Sequence, residues 1–385
     1  MRPTIAALPG SKIREVANAG LGRSDVLAFW FGESDEPTPE PVRAAAAESL
    51  ARGETFYSHN LGLPELRQAV AAYVSALHGP VASERIAVTS SGVTGLMLAM
   101  QALLEPGDEV VAVTPVWPNL TAQPAILSAR VTRVPLAPDA AGAWQLDLQM
   151  LLASVTPATR VLLVNAPNNP SGWTLTRTEQ QTLLDHCRRT GTWIVADEVY
   201  ERLYYAGPVG AAAPSFLDLA TAEDRLIVAA SFSKSFLMTG WRLGWLVMPA
   251  PLVEPMGVLI EFNNSCAPVF VQRGALAALA GAEASVPALV AHLRACRDRL
   301  VAGLASLPGV QVASPPGGMY AFFRIDGQTD SLALAKRLVV EHGLGLAPGA
   351  AFGPEGEGWL RWCFASRELA RLDAGLARLA NFVTA

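Results

Sequence analysis

The sequence is poor in charge: of 385 residues only 16% are Asp, Glu, Lys or Arg, while 51% are hydrophobic. That balance excludes a disordered or coiled-coil chain and fits a globular protein with a large core. The formal net charge of -5 offers no broad basic surface and argues against nucleic acid as a partner. Cys187, Cys266, Cys296 and Cys363 lie far apart without CxxC spacing, so neither a disulfide framework nor a cysteine zinc site is expected. Reduced thiols in a cytoplasmic protein are expected instead. The histidines form no HExxH, and no metal centre is expected. No apolar run approaches the ~18 residues of a membrane span, and LVMPAPLV at 246–253 is broken by two prolines. The opening MRPTIAALPG lacks the sustained apolar stretch of a signal peptide. Neither GxGxxG nor GxxxxGK[ST] occurs, which removes both common nucleotide-binding signatures.

The length predicts two domains. In the segment 62–77, Leu66, Val70, Tyr73, Val74 and Leu77 recur at three-and-four spacing, predicting an amphipathic helix. RIAVTSSG reads as a strand entering a glycine turn, and VTGLMLAMQALL as the helix that follows. VVAVTP, ARVTRVPL, RVLLVN, TWIVAD and RLIVAAS are further strands, and TRTEQQTLLDHCRRT is a helix capped by Thr176 with Glu179 three positions on. Uninterrupted apolar strands alternating with helices predict a three-layer α/β/α domain around a mostly parallel sheet, here 36–284. Residues 1–35 and 285–385 are assigned to a smaller α+β domain, with an N-terminal arm and a change of pattern near residue 285.

The polar residues stranded at the strand ends, Ser91, Asn169, Asp197 and Ser231, fall on the carboxyl edge of such a sheet, where open α/β folds bind ligands. SSGVTG at 90–95 can offer amides to an anion at a helix start, or serve only as a turn. Asp197 can cap a helix or hold a cation, and Asn169 in NNPSG can be a turn residue. Lys234 follows an apolar strand and precedes Phe236, Leu237 and Met238; an enclosed amine there would be a neutral nucleophile, or the lysine is simply solvated. Ser231 and Lys234 also form SxxK, as in serine acylases, but KTG and SDN are missing. Arg361, flanked by apolar residues in WLRWCFA, calls for an anion, either a ligand carboxylate or a structural partner.

Taken in order, FGESDEPTPE (31–40), YSHNLGLPELR (57–67), NAPNNPSG (165–172), DEVY (197–200), SFSKSFLMTGWRLGW (231–245) and LRWCFA (360–365) resemble the fold-type I pyridoxal-phosphate (PLP) enzymes of the class I/II aminotransferase family, the aspartate aminotransferase superfamily. The resemblance spans almost the whole chain. It implies that Lys234 carries PLP as a Schiff base and shuttles a proton, that Asp197 pairs with the ring nitrogen, and that Asn169 and Tyr200 meet the 3' oxygen. It puts Ser91, Gly92, the amides of Val93 and Thr94, Ser231 and Arg242 around the phosphate, Trp117 against the ring, and Tyr57 in the site of the other subunit of a homodimer. Arg361 would grip the substrate α-carboxylate, with Gly32 close by and Trp117 and Asn169 beside it.

The sequence departs from the family pattern at Val93, Gly95, Val116 and Pro118, which leaves the substrate side-chain pocket open; Trp117, Tyr57 and Phe323 are compatible with apolar or aromatic side chains. The implied reaction is transfer of the amino group of an α-amino acid to a 2-oxo acid. Carbon–sulfur β-elimination on the same scaffold is the alternative. A non-catalytic PLP-binding regulator is disfavoured, because only a short arm precedes the matching region.

Overall fold

The structure, a computed structural model, describes residues 1–384. Ala385, the final residue of the expected small domain, lies outside the described residues. In chain order the strands are β1 (Leu27–Ala28), β2 (Ile86–Thr89), β3 (Glu109–Thr114), β4 (Arg130–Pro138), β5 (Trp144–Leu146), β6 (Thr159–Asn165) and β7 (Trp193–Asp197). They continue with β8 (Leu226–Ser231), β9 (Gly244–Val247), β10 (Val310–Val312), β11 (Tyr320–Ile325), β12 (Leu344–Gly345), β13 (Ala347–Pro348) and β14 (Trp359–Cys363).

Eight strands form the large sheet in the order β2-β9-β8-β7-β6-β3-β4-β5. The run β8-β7-β6-β3-β4 is parallel; β9 lies antiparallel between β8 and β2, and β5 antiparallel on β4. The central strands VLLVN of β6 and IVAD of β7 are buried throughout, as expected of strands covered on both faces. Helices such as Gly92–Leu103 and Arg177–Thr190 supply the covering layers. The latter begins with the expected capping box, Thr176 Oγ1 accepting from the Glu179 amide and Glu179 from the Thr176 amide.

The smaller sheet is antiparallel, in the order β10-β11-β14-β13. The N-terminal segment joins this part of the molecule, since β1 pairs in parallel with β12. The helix Ala282–Ala305 meets the helix Val269–Ala280 at a 78° bend. It runs across the place, near 285, where the sequence pattern changes. No single described helix is long and apolar enough to cross a membrane.

Several elements escaped the sequence reading, two of them directly after the Lys234 segment. The segment after Arg242 supplies β9, and GVLIEFNN belongs to the helix Ala250–Asn264. The two prolines of LVMPAPLV mark a boundary: Pro249 is the N-cap of that helix and Pro251 lies in its first turn, where a missing amide hydrogen carries no penalty.

Candidate active site

The carboxyl ends of β6, β7 and β8 open into a cavity of about 240 Å³, closed on the other side by the smaller sheet and the N-terminal segment. Each wall has a distinct chemistry.

One wall is an anion cradle. Ser91, held at φ 124°, caps the helix Gly92–Leu103 by accepting from the Thr94 amide at 3.1 Å. Of the residues expected around the phosphate, Ser91 and Thr94 are not among those that line the cavity, and the Thr94 amide donates to Ser91 Oγ. Gly92 and Val93 do line it, with the first-turn amides that helix geometry leaves unpaired. Ser231, Ser233 and Arg242 face them. Ser231 Oγ donates to Ser233 Oγ (2.9 Å) and accepts from the Ser233 amide (3.1 Å), while Arg242 is held by its bond to the Thr239 carbonyl (2.7 Å). Gly244 lets β9 press against this cradle; a Cβ there would lie 2.6 Å from both the Ala230 oxygen and the Gly92 nitrogen.

The floor carries Asp197 and Lys234. Asp197, at the end of β7, is buried and accepts one long bond, from the Val199 amide at 3.4 Å. Burial pushes its carboxyl up to about 7, against the Val199 amide and the Lys234 charge. Lys234 follows β8, donates from Nζ to the Gly32 carbonyl at 2.6 Å, and lies 5.5 Å from the centre of the Tyr200 ring. Burial lowers its amine to about 8. Trp117, after β3, lines the same space.

The third wall comes from the smaller sheet. Arg361 on β14 is 2% exposed, yet no carboxylate lies within ion-pair distance of it among the described residues. One terminal nitrogen donates to Asn169 Oδ1 at 2.9 Å, the other to the Trp30 carbonyl, and Nε has no partner. The rings of Tyr320 and Phe352 lie 4.3 and 4.9 Å from the guanidinium carbon. Such a cation is costly to bury unless its charge serves a ligand.

Tyr320, Ser233, Asn165, Trp30, Phe31 and Ile13 also line the cavity and do not stand out in the sequence. Tyr320 shares a 2.7 Å hydroxyl bond with Tyr200, and both rings are buried. The register that pairs Phe322 with Arg361 sets Tyr320 on the arginine's face of the sheet, a relation visible only once the strands are paired. Gly32 fits because any Cβ would collide with the Tyr320 hydroxyl. One expectation fails, and another concerned a different subunit's site. Phe323 is wholly buried in the core of the smaller domain against Trp362 and cannot shape the pocket; Tyr57 is 87% exposed on the outer surface, away from this chain's cavity.

The sequence model of the class I and II aminotransferases matches residues 24–379. The chain belongs to this family. It is 32% identical over 368 residues to an aspartate aminotransferase of Pyrococcus horikoshii, covering 94% of this chain and 92% of that one. It is 33% identical over 341 residues to an arginine–pyruvate transaminase of Pseudomonas aeruginosa, covering 88% and 85%. The crystal structure of an aspartate aminotransferase from Thermotoga maritima superposes with a TM-score of 0.91 at 30% identity, covering 100% of both chains. The fold is thus that of the fold-type I PLP transferases, a large mixed sheet domain with a smaller, sheet-containing partner.

The residues of this chain suit PLP group by group. The amides of Gly92 and Val93 with Ser231, Ser233 and Arg242 suit a phosphate; the under-bonded Asp197 suits a protonated ring nitrogen; Lys234 suits a carbonyl carbon.

Proposed function

We infer that the protein is a PLP-dependent aminotransferase that moves the amino group of an α-amino acid to a 2-oxo acid. One observation carries the reading: Arg361, buried without a carboxylate, shares a cavity with a lysine whose amine is shifted toward neutrality. A planar two-pronged donor suits a carboxylate, and both an α-amino acid and a 2-oxo acid bring one.

Bound PLP supplies a carbonyl that condenses with amines and a ring that accepts the electron pair of a broken Cα–H bond. The chain's own residues do the rest. Asp197, ionised opposite the ring nitrogen, keeps that nitrogen protonated. Asn169 Oδ1 accepts from Arg361, which would leave its amide hydrogens, with the Tyr200 hydroxyl, for the 3' oxygen. Trp117 supplies a flat surface for the ring. Arg361 fixes the α-carboxylate, which sets the orientation of the Cα–H bond relative to Lys234. Lys234 Nζ then takes the proton and gives it back at the neighbouring carbon. Phe352 stacks on Arg361 and its carbonyl accepts the Val116 amide at 3.0 Å, so the arginine and the Trp117 loop are held by one residue.

The reading includes a homodimer. Phe56, Tyr57 and Phe262 are strongly exposed on two segments tied together by Asn60 to the Gly257 carbonyl (2.9 Å) and by the Ser58 amide to Cys266 Sγ (3.4 Å). An exposed aromatic cluster of this kind supports a covering subunit, to whose site Tyr57 would contribute. Cytoplasmic residence belongs to the same reading, supported by four free cysteines.

Borohydride treatment of the PLP-loaded protein followed by peptide mapping tests the function, together with product analysis using amino donors and 2-oxo acids. The expected result is a phosphopyridoxyl group on Lys234 and a new amino acid formed from the 2-oxo acid. Failure to take up PLP, or release of ammonia with no aminated product, would overturn the reading.

A further inference from the structure

Beside Arg361 the cavity wall changes character. Ile13, Trp30 and Phe31 form an apolar surface next to the guanidinium, with Trp30 and Phe31 edge to face at 6.2 Å. Trp30 and Ile13 are packed, whereas Phe31 remains 38% exposed, an unusual amount for an aromatic ring at a cavity mouth.

The charged side chains lining the cavity are Asp197, Lys234, Arg242 and Arg361. Under the proposed function each is already engaged, with the ring nitrogen, the carbonyl, the phosphate and the α-carboxylate respectively. Among the described residues no lining cation is left for a second carboxylate. Val93, at the start of the helix that cradles the phosphate, adds another apolar group. Arg14, whose guanidinium carbon is 6.0 Å from the centre of the Phe31 ring, does not line the cavity. Glu33, beside Gly32, turns its carboxylate to the Thr239 hydroxyl at 3.2 Å and does not line the cavity either, so no anion of this chain is offered to a basic side chain.

We propose that the preferred amino donor carries a large uncharged side chain, apolar or aromatic, seated on Ile13, Trp30 and Phe31, with Phe31 the specificity-determining contact. This deepens the proposed function and rests on its assignment of Arg361 to the α-carboxylate. An acidic side chain placed on this wall would lose its hydration without gaining a partner, whereas an aromatic one would cover the exposed face of Phe31.

The test is equilibrium binding of unreactive carboxylates to the protein after PLP loading is verified by its absorbance, so that a loading failure counts against the proposed function alone. Calorimetry would compare 3-phenylpropanoate, succinate and 5-(trimethylammonio)pentanoate, whose quaternary nitrogen cannot condense with PLP. The first should bind tighter than either of the others by on the order of tenfold, the range one apolar pocket can supply. Phe31→Ala should remove most of that preference and Phe31→Leu part of it. Arg14→Ala should leave all three affinities as they were. Succinate or 5-(trimethylammonio)pentanoate binding as tightly as 3-phenylpropanoate, or an unaltered preference in Phe31→Ala, would overturn the proposal.

Discussion

Lys234 is the residue at which environment matters most. An ordinary lysine is protonated at neutral pH and cannot attack a carbonyl; enclosure lowers this one from 10.5 to about 8, so its neutral fraction grows as pH rises through that value. Stopped-flow mixing of the PLP-free protein with PLP should therefore give a capture rate that climbs with pH up to about 8 and flattens above it. A rate still climbing toward 10.5 would mean the amine is not enclosed. In the sequence Asp197 and Arg361 stand out as charges that end or interrupt apolar stretches, whereas Lys234, and the role of all three, came from the order of motifs that resembles the family. Tyr320, Ser233 and the residues Ile13, Trp30 and Phe31 were hidden for the opposite reason. Aromatic, aliphatic and hydroxyl side chains are ordinary in a core, and only tertiary placement makes them part of a site.

Among the secondary elements, legibility followed local chemistry. The helix Arg177–Thr190 was readable to its first residue because a capping box is a short-range pattern. Thr176→Ala should cost about 1 kcal/mol of stability in urea unfolding and leave PLP capture intact, since the cap does not line the cavity. A variant as stable as the parent would mean the cap is redundant. β9 was missed because four residues between a glycine and a proline carry too little periodicity to be read, and the antiparallel register with β8 that fixes them is a tertiary fact. The phosphate cradle shows the same divide. A turn entering a helix was visible in SSGVTG, but which amides remain free depended on Ser91 capping Thr94.

For the whole molecule, the layered α/β domain and its smaller partner followed from the alternation of buried strands and helices. The return of the N-terminal segment to the C-terminal part, with β1 on β12, is a long-range pairing that periodicity does not encode. The proposed dimer is tested by complementation. Lys234→Ala and Tyr57→Ala chains, unfolded and refolded together, should recover at limiting PLP up to about one quarter of wild-type turnover, because half the dimers are mixed and each has one intact site. No recovery, or a monomer in sedimentation, would refute shared sites.

Arg361 also bears on how firmly the chain can be folded. A guanidinium enclosed by two aromatic rings, with one nitrogen unbonded and no acid beside it, is a position where a hydrophobic residue of similar bulk would serve the core better. The protein keeps it, so part of its conformational stability has been exchanged for readiness. A carboxylate docked there would give this guanidinium the counter-charge it lacks, and in that sense the ligand is the last piece of the fold.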